Sequence, residues 1–154
     1  MTHTWILSAL LGALLCLGGC QRAPRGEQED LVRQGRLALA RGEATRAVSL
    51  LRKAVKRAPR RDDARILLAQ ALEKAGKPGA AEQSLREGVS ERPSSPDLWL
   101  ALGRVRVRRG RYDAAIRALQ RAGKLRPGDP EVAFALGQLY ERHRLWDVAR
   151  SHLR

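Results

Sequence analysis

The sequence contains little cysteine, few aromatic residues and few acidic residues. Of its 154 residues, 2 are cysteines, 4% are aromatic, and 16 are Asp or Glu against 30 Lys or Arg. Two cysteines exclude a framework of several disulfides, and the length excludes a large multidomain enzyme. The shortage of acids leaves a formal net charge of +14, while 44% of the residues are hydrophobic. That apolar fraction indicates a folded domain with a core, because disordered chains contain fewer apolar residues.

Sequence motifs of catalysis are also missing. We find no P-loop, no dinucleotide-binding glycine fingerprint and no serine in a G-x-S-x-G context. His143 and His152 are nine residues apart, a spacing that does not bring two metal ligands onto one helix face. We therefore predict that the protein is not an enzyme and that it binds no cofactor, metal or small-molecule substrate.

The first twenty residues differ from the rest because they contain no Lys, Arg, Asp or Glu. They run apolar from Trp5 to Leu17 and end in small residues, which is typical of a secretory signal. A membrane-spanning helix needs about 20 apolar residues, so this shorter run favours a removable signal over a permanent transmembrane anchor. Export would carry the basic domain out of the cytoplasm, and this argues against nucleic acid as its partner.

The end of this segment, Leu17-Gly18-Gly19-Cys20, resembles the lipobox of bacterial lipoproteins. The resemblance implies that residues 1–19 are a signal peptide that is removed, that Cys20 becomes the lipid attachment site, and that residues 20–27 form a short linker. Two or more acyl chains would anchor the protein stably to a bacterial membrane. Gln21, rather than Asp, implies the outer membrane, facing the periplasm. The alternative is an ordinary cleavage site beside an unmodified cysteine.

From Gln28 onward the sequence repeats every 34 residues, in units that span 28–61, 62–95, 96–129 and the incomplete 130–154. Each unit predicts two antiparallel helices that approach through small residues, with a glycine turn between them and a proline after the second helix. The eighth position holds Gly35, Ala69, Gly103 and Gly137, and the fifteenth holds Gly42, Gly76 and Gly110. The twentieth position holds Ala47, Ala81, Ala115 and Ala149, and the twenty-fourth holds Leu51, Leu85, Leu119 and Leu153. The thirty-second position holds Pro59, Pro93 and Pro127.

This pattern resembles the tetratricopeptide repeat. The third unit shows it best, with Trp99, Leu102, Gly103, Gly110, Tyr112, Ala115, Ala122 and Pro127 where the family has such residues. The resemblance implies an all-α fold, a right-handed α-solenoid of antiparallel helix pairs with about three and a half to four repeats. The fourth repeat would then stop midway through its second helix. Arg106 stands where the family prefers an aromatic residue, which predicts loose packing or an outward side chain.

Acidic residues, serine and proline mark three predicted helix starts, at Asp62-Asp63, Ser95-Pro96-Asp97 and Asp129-Pro130-Glu131. Such residues cap a helix and complement its dipole, so we interpret them as capping groups and not as a catalytic set.

Stacked helix pairs form a concave groove lined by their first helices. In the resembling family the groove is lined mainly by the second, fifth, ninth, twelfth and thirteenth positions. The fifth position gives an apolar floor of Val32, Ile66, Leu100 and Phe134. The remaining candidates are Arg36, Gln70, Arg104, Gln138, Leu39, Glu73, Lys74, Val107, Arg108, Glu141 and Arg142.

Such a groove suits a protein or peptide partner, either an amphipathic helix or an extended segment with acidic residues. The alternative is that the apolar residues merely pack between helices and the arginines are solvated. Chaperone-binding members grip a C-terminal carboxylate with Lys at the fifth position and Asn at the ninth. Both residue types are absent from those positions here, so that clamp is not expected.

Together these features predict a non-catalytic protein-interaction scaffold, lipid-anchored at the bacterial envelope, that binds no nucleic acid. Assembly of a pilus or of outer-membrane machinery is one role. The alternative is an accessory or regulatory subunit that docks an envelope enzyme of cell-wall synthesis or cytochrome maturation. Basic residues late in the second helices, such as Lys53 and Lys56, are either solvated or adhere to anionic lipid headgroups.

The aromatic residues after the signal, Trp99, Tyr112, Phe134, Tyr140 and Trp146, all lie in the last two repeats. Because aromatic side chains bury the most apolar area, the sequence predicts that the N-terminal repeats open at lower denaturant concentration than the C-terminal ones.

Overall fold

The structure is a computed structural model that describes residues 25–152, with side chains from residue 29 to residue 142. Cys20 and the predicted signal peptide 1–19 lie outside the described residues. The described range contains helices and no strand, so the all-α prediction is confirmed. The helices are α1 (Arg25–Ala40), α2 (Ala44–Arg57), α3 (Asp62–Lys74), α4 (Pro78–Glu91), α5 (Pro96–Arg108), α6 (Tyr112–Leu125) and α7 (Pro130–His152).

The helices pair as the 34-residue unit predicts, α1 with α2, α3 with α4, and α5 with α6. Gly35 of α1 faces Leu51 of α2, and Gly103 of α5 faces Leu119 of α6. A Cβ atom added to either glycine would lie 2.6 Å from the Cγ atom of the facing leucine, and both leucines are completely buried. Glycine at the eighth position is therefore what lets these helices approach so closely.

Three glycines form the turns inside the repeats, as predicted. Gly42, Gly76 and Gly110 have φ values of +78°, +72° and +71°. L-amino acids with a side chain rarely adopt such values, whereas glycine does so without steric cost. After α1, for example, the Glu43 amide donates to the Ala38 carbonyl at 2.9 Å, which satisfies a free carbonyl at the helix end.

The fourth repeat does not contain the predicted turn. Its first helix continues without a break, so that α7 runs for 23 residues from Pro130 to His152. The fifteenth position of this unit is Arg144 and not glycine, and a left-handed turn there would cost about 1–2 kcal/mol. The expectation of a second helix in this unit was wrong. The predicted linker is also shorter than expected, because α1 already begins at Arg25.

The residues at the helix starts act as caps and as bridges between repeats. The Ser95 hydroxyl accepts a hydrogen bond from the Leu98 amide at 3.3 Å, and the Asp129 carboxylate accepts one from the Glu131 amide at 2.8 Å. Asp62 plays a different role, since it accepts a hydrogen bond from the Ser95 hydroxyl at 2.6 Å. The capping interpretation is therefore confirmed for Ser95 and Asp129. At the third start, the hydrogen bond between Asp62 and Ser95 joins two successive repeats.

A buried carboxylate ties α4 to α5 and to the start of α6. The Glu82 side chain is only 4% exposed and receives hydrogen bonds from Arg106 at 3.1 Å, from Arg111 at 3.2 Å and from Arg109. Arg106 also donates to the Ala114 carbonyl at 3.0 Å. Arg106 therefore points inward and is firmly held, so the expectation of loose packing or an outward side chain was wrong.

A buried arginine forms a second polar contact in the interior. Arg65 of α3 donates to the backbone carbonyls of Ser84 at 3.1 Å and Pro59 at 3.2 Å, and to the Glu91 carboxylate at 2.9 Å. Its aliphatic stem occupies the space where Gly88 has no side chain. The interior of the second repeat is thus closed by a guanidinium group whose donors are satisfied.

The structure contradicts the reasoning behind the predicted order of unfolding. Phe134 is 66% exposed and Tyr140 is 49% exposed, so these aromatic side chains bury little area. The largest core cluster instead joins α1 to α5 through aliphatic residues such as Leu72, Leu85 and Leu102. We therefore expect α7 to open at lower denaturant concentration than α3 to α5. Native-state hydrogen exchange measures this order, and equal protection of α7 and α3 amides would contradict it.

Candidate functional site

The curvature of the solenoid brings the first helices onto one inner surface. Helix α3 contacts both α1 and α5, and α5 contacts α7, whereas no second helix contacts another second helix within residues 25–152. A stack that is closer on one side than on the other is concave on its closer side. The first helices α1, α3, α5 and α7 therefore line the concave surface, as the sequence predicts.

A groove of about 700 Å³ lies between α3, α5 and the start of α7. Its size falls within the range of pockets that bind small molecules or segments of chain. Its lining mixes aliphatic residues with three acids and three cations. They are Ile66, Gln70, Glu73, Lys74, Asp97, Leu100, Ala101, Arg104, Val105, Arg108 and Glu131.

The groove continues into a smaller hollow of about 280 Å³ between α5 and α7. This hollow contains three arginines and no acidic residue. Its lining is Arg104, Val107, Arg108, Phe134, Ala135, Gln138, Leu139 and Arg142. The two compartments share Arg104 and Arg108, so the balanced charge of the first gives way to a positive charge in the second.

Ion pairs across the groove connect successive repeats. Arg108 of α5 makes a bidentate pair with Glu73 of α3, at 2.7 Å and 2.5 Å, and Arg104 pairs with Glu131 of α7 at 2.9 Å. Lys74 donates to the Leu39 carbonyl at 3.4 Å, at the end of α1. The Arg104–Glu131 pair is largely exposed and contributes less than about 1 kcal/mol to stability, whereas Glu73 is only 16% exposed. Both arginines are about half exposed, so a ligand carboxylate can compete for them.

Most of the predicted groove residues do line this surface. Eleven of the fifteen candidates lie in the two compartments: Ile66, Gln70, Glu73, Lys74, Leu100, Arg104, Val107, Arg108, Phe134, Gln138 and Arg142. Glu141 lies in neither compartment. Leu100 is only 6% exposed, so it forms the bottom of the groove, whereas Phe134 projects into solvent.

The residues from α1 do not share this surface. Val32 is 3% exposed and packs against Ala54 and Ala64, and Leu39 is buried in the main core cluster. These two side chains close the space between α1, α2 and α3, which corrects the assignment of Val32 to the groove floor and of Leu39 to the groove lining. Arg36 is exposed on α1 and lies in neither compartment.

Two acids of the groove, Asp97 and Glu131, are missing from the sequence prediction. Both stand at the second position of their units, one of the positions that line the groove in the resembling family. They had been interpreted only as groups at helix starts. Asp97 also pairs with Arg126 at 2.9 Å, outside the groove.

A further hollow, of about 960 Å³, lies beside the α2–α3 connection and is lined by residues 57–63 together with Glu91, Arg92 and Asp97. Among the residues that the structure describes, no three His, Cys, Asp or Glu side chains are close enough together to hold a metal ion. The helices that the structure describes are all too short or too polar to cross a membrane.

A family model described as tetratricopeptide repeat matches residues 38–105 and 73–139. Among proteins with curated descriptions, none matches the sequence significantly. Similar solved structures include the Sgt2 TPR domain from Aspergillus fumigatus, at 22% identity and a TM-score of 0.73. That alignment covers 86% of this chain and 88% of the other.

Two further similar structures contain a bound peptide. The second TPR domain of human RPAP3, solved in complex with the HSP70 peptide SGPTIEEVD, is 18% identical with a TM-score of 0.63, over 74% of this chain and 92% of that one. The Yersinia enterocolitica type III secretion chaperone SycD, solved with a peptide of the translocator YopD, is 15% identical with a TM-score of 0.66, over 78% and 97%. At these identities the likeness shows the fold.

Proposed function

The chain belongs to the tetratricopeptide repeat family, and from this premise we propose that it is a non-catalytic scaffold that holds a segment of a partner protein in its concave groove. The proposal rests on the exposure of Phe134, a large apolar side chain that is 66% exposed in a hollow lined by three arginines. Phe134 lies on α7, at the α5–α7 end of the groove, and exposed aromatic side chains beside arginines are of the types enriched in binding hot spots.

The charges of the groove define the partner segment. Arg104, Arg108 and Arg142 surround Phe134, and no carboxylate lines this hollow. A partner that carries an acidic residue beside an apolar one would pair with an arginine and cover Phe134. The peptide complexes of the human RPAP3 domain and of SycD support a peptide segment as the occupant.

The scaffold is further proposed to be lipid-anchored through Cys20 at the bacterial envelope, on the outer membrane and facing the periplasm. The support is the sequence Leu17-Gly18-Gly19-Cys20 after an uncharged apolar run. The proposed role is assembly of an envelope complex such as a pilus or the outer-membrane machinery. The identity of a partner crosslinked to the groove would distinguish this from docking onto an envelope enzyme.

Site-specific crosslinking tests the groove directly. A photo-reactive amino acid in place of Gln138 lies beside Phe134, and the same replacement of Gln83 on α4 lies outside the groove. We expect the Gln138 variant to capture a partner in native envelopes and the Gln83 variant not to. Equal capture by both variants would place the interface elsewhere.

Once the partner segment is known, Phe134→Ser is expected to weaken its binding at least tenfold, because hot-spot residues contribute about 2 kcal/mol or more. Tyr140→Ser is the matched control on the same helix, since Tyr140 is also exposed but contacts Gln120 and does not line the groove. Isothermal titration calorimetry measures both. An equal loss for the two variants would contradict a specific role of Phe134.

The anchor is tested by Cys20→Ser. We expect the wild-type protein to partition into detergent and to carry acyl chains on Cys20 by mass spectrometry, and the variant to remain in the aqueous phase. A wild-type protein that is unmodified and aqueous would overturn the anchor and leave the groove proposal intact.

A further inference from the structure

The described chain begins beside the end of α2. Val32, near the start of α1, packs against Ala54, near the end of α2. The Glu29 carboxylate is close enough to Arg61 to raise the pKa of that guanidinium, although the hydrogen bond from Arg61 to Asp63 is the larger cause. The N-terminal end of α1 and the α2–α3 connection therefore lie at the same edge of the solenoid.

Four basic side chains are exposed at this edge, in the last turns of α2 and the connection after it: Arg52, Lys53, Lys56 and Arg60, here called the basic corner. None of them has an ion pair with another side chain that the structure describes. Three acids at this edge are engaged by other cations, in the pairs Asp30–Arg33 at 2.7 Å, Asp63–Arg61 at 2.9 Å and Asp62–Arg92 at 3.0 Å, and a fourth, Glu29, lies near Arg61.

The proposed anchor would hold this corner near the membrane. Arg25 is five positions after Cys20, and a fully extended chain of five residue steps spans at most about 17 Å. A lipid on Cys20 thus keeps the start of α1 close to the headgroups, and the basic corner with it. Electrostatic attraction acts within a Debye length of about 8 Å at physiological ionic strength, so a short tether matters.

The chemistry of the corner fits lipid headgroups better than a protein surface. Protein interfaces usually contain exposed apolar or aromatic anchors, and the large exposed hydrophobic side chains of the described chain are Leu37, Phe134 and Tyr140, none of which belongs to the corner. Clustered Lys and Arg without such anchors are typical of segments that bind anionic lipids.

We propose that the basic corner binds the phosphate-bearing headgroups of an anionic phospholipid surface and so fixes the orientation of the tethered solenoid. This inference rests on the proposed anchor at Cys20. The corner lies on α2 and its following connection, whereas the groove lies between α3, α5 and α7. Contact with lipid through the corner therefore leaves the groove open to a partner.

Acetylation of lysines tests the orientation in the unaltered protein, because the chain has only Lys53, Lys56, Lys74, Lys77 and Lys124. The lipidated protein is bound to phosphatidylcholine vesicles with or without phosphatidylglycerol, and modification rates are measured by mass spectrometry. We expect phosphatidylglycerol to slow acetylation of Lys53 and Lys56 about fivefold each, and high salt to reverse this.

Two lysines provide internal controls. Lys124 occupies the same position in the third unit as Lys56 in the first, and Lys77 lies in the turn at the opposite edge. Equal slowing of Lys53, Lys56, Lys77 and Lys124, or no slowing at Lys53 and Lys56 on bound protein, would overturn the basic corner alone. Failure of the protein to bind phosphatidylcholine vesicles at all would overturn the anchor, and the corner with it.

A matched pair of double variants gives a second measurement. Lys53→Gln with Lys56→Gln removes two charges from the corner, and Arg121→Gln with Lys124→Gln removes the equivalent two charges from α6. The two kinds of vesicle compete for each variant, and the measured quantity is the preference for vesicles that contain phosphatidylglycerol. We expect this preference to fall about thirtyfold in the first variant and less than threefold in the second. Equal losses would assign the binding to net charge and overturn the corner. Protection of Lys53 and Lys56 in native envelopes but not on lipid vesicles would assign the corner to an acidic protein instead.

Discussion

Replacing the buried Glu82 with Gln is expected to lower the free energy of unfolding by about 3 kcal/mol at neutral pH. The carboxylate is 4% exposed and accepts hydrogen bonds from Arg106, Arg109 and Arg111. Glutamine keeps the shape but not the charge, so three guanidinium groups lose their common counter-ion. Removing one partner of a buried ion pair typically costs about 3–5 kcal/mol, and the partial exposure of the arginines favours the lower end.

The matched control is Glu87→Gln on the same helix. Glu87 is 55% exposed and lies 3.7 Å from Arg65, so its loss should cost less than about 0.5 kcal/mol. Urea denaturation followed by circular dichroism measures both changes. Equal effects would show that Glu82 contributes no more than a surface charge.

The effect of Glu82 should also depend on pH. Burial raises the pKa of Glu82, but the hydrogen bond from Arg106 and the charges of Arg111, Arg109 and Arg106 together outweigh burial, so the folded-state pKa lies below its usual value. Such a carboxyl stabilises the fold above its unfolded pKa, about 4.3, and loses this contribution as the pH falls through its folded pKa. The difference between wild type and Glu82→Gln should therefore be constant near neutral pH and shrink below about pH 4.

The backbone plan could be predicted from the sequence because each of its elements depends on a single residue type at a fixed position. The turns at Gly42, Gly76 and Gly110 need positive φ values, and glycine adopts them at no steric cost. In the fourth unit the turn position is Arg144 and not glycine, and accordingly no turn forms there and α7 continues through it. The turn was expected only because the period of 34 was extended into a unit that lacks its turn residue.

The buried charges could not be predicted in this way. Arg65 stands at the fourth position of its unit, where the third unit has Trp99, and period alone does not show that an arginine can fill that place. Its burial depends on carbonyls and a carboxylate supplied by residues up to 26 positions away. Glu82 likewise depends on arginines of the next repeat. The Arg65 contacts to Ser84 and Glu91 link the two helices of one unit, so they require the folded helix pair. The contact of Arg106 with Glu82 joins two units, so it requires the stacked repeats.

The groove was predicted well in α3, α5 and α7, and less well in α1. The fifth position lines the groove in α3, α5 and α7, whereas in α1 the residue Val32 packs against Ala54 and Ala64. The same position in α7 is Phe134, which extends into solvent. The surroundings of a repeat position therefore depend on which helices pack beside it.

Gly103→Ala is expected to destabilise the protein by about 2 kcal/mol, although alanine is the better helix former by about 1 kcal/mol. The added Cβ atom would lie 2.6 Å from both Cγ and Cδ2 of Leu119, a side chain with no exposed surface. Because Leu119 is completely buried, it can make room only by displacing its neighbours or by separating α5 from α6. Thermal or urea unfolding measures the change.

Gly137→Ala is the matched control, since Gly137 occupies the same eighth position in the fourth unit and an added Cβ atom meets no atom within 4 Å. There only the helix propensity acts, so we expect stabilisation by up to about 1 kcal/mol. The two substitutions are chemically identical and should have opposite signs. Equal signs would show that backbone propensity, and not the distance between α5 and α6, decides the residue at this position.

A double-mutant cycle separates close packing from other effects of Gly103→Ala. Leu119→Val alone removes one methylene from a buried side chain and should cost about 1 kcal/mol. If the added Cβ atom and the leucine tip compete for the same space, the double variant should be more stable than the sum of the two losses predicts, with a coupling of about 1 kcal/mol. Strict additivity would mean that the glycine is required for a reason other than Leu119. A positive coupling would show that the residue at the eighth position depends on the size of the residue at the twenty-fourth. The same contact joins Gly35 to Leu51 in the first repeat, so the dependence would apply there as well.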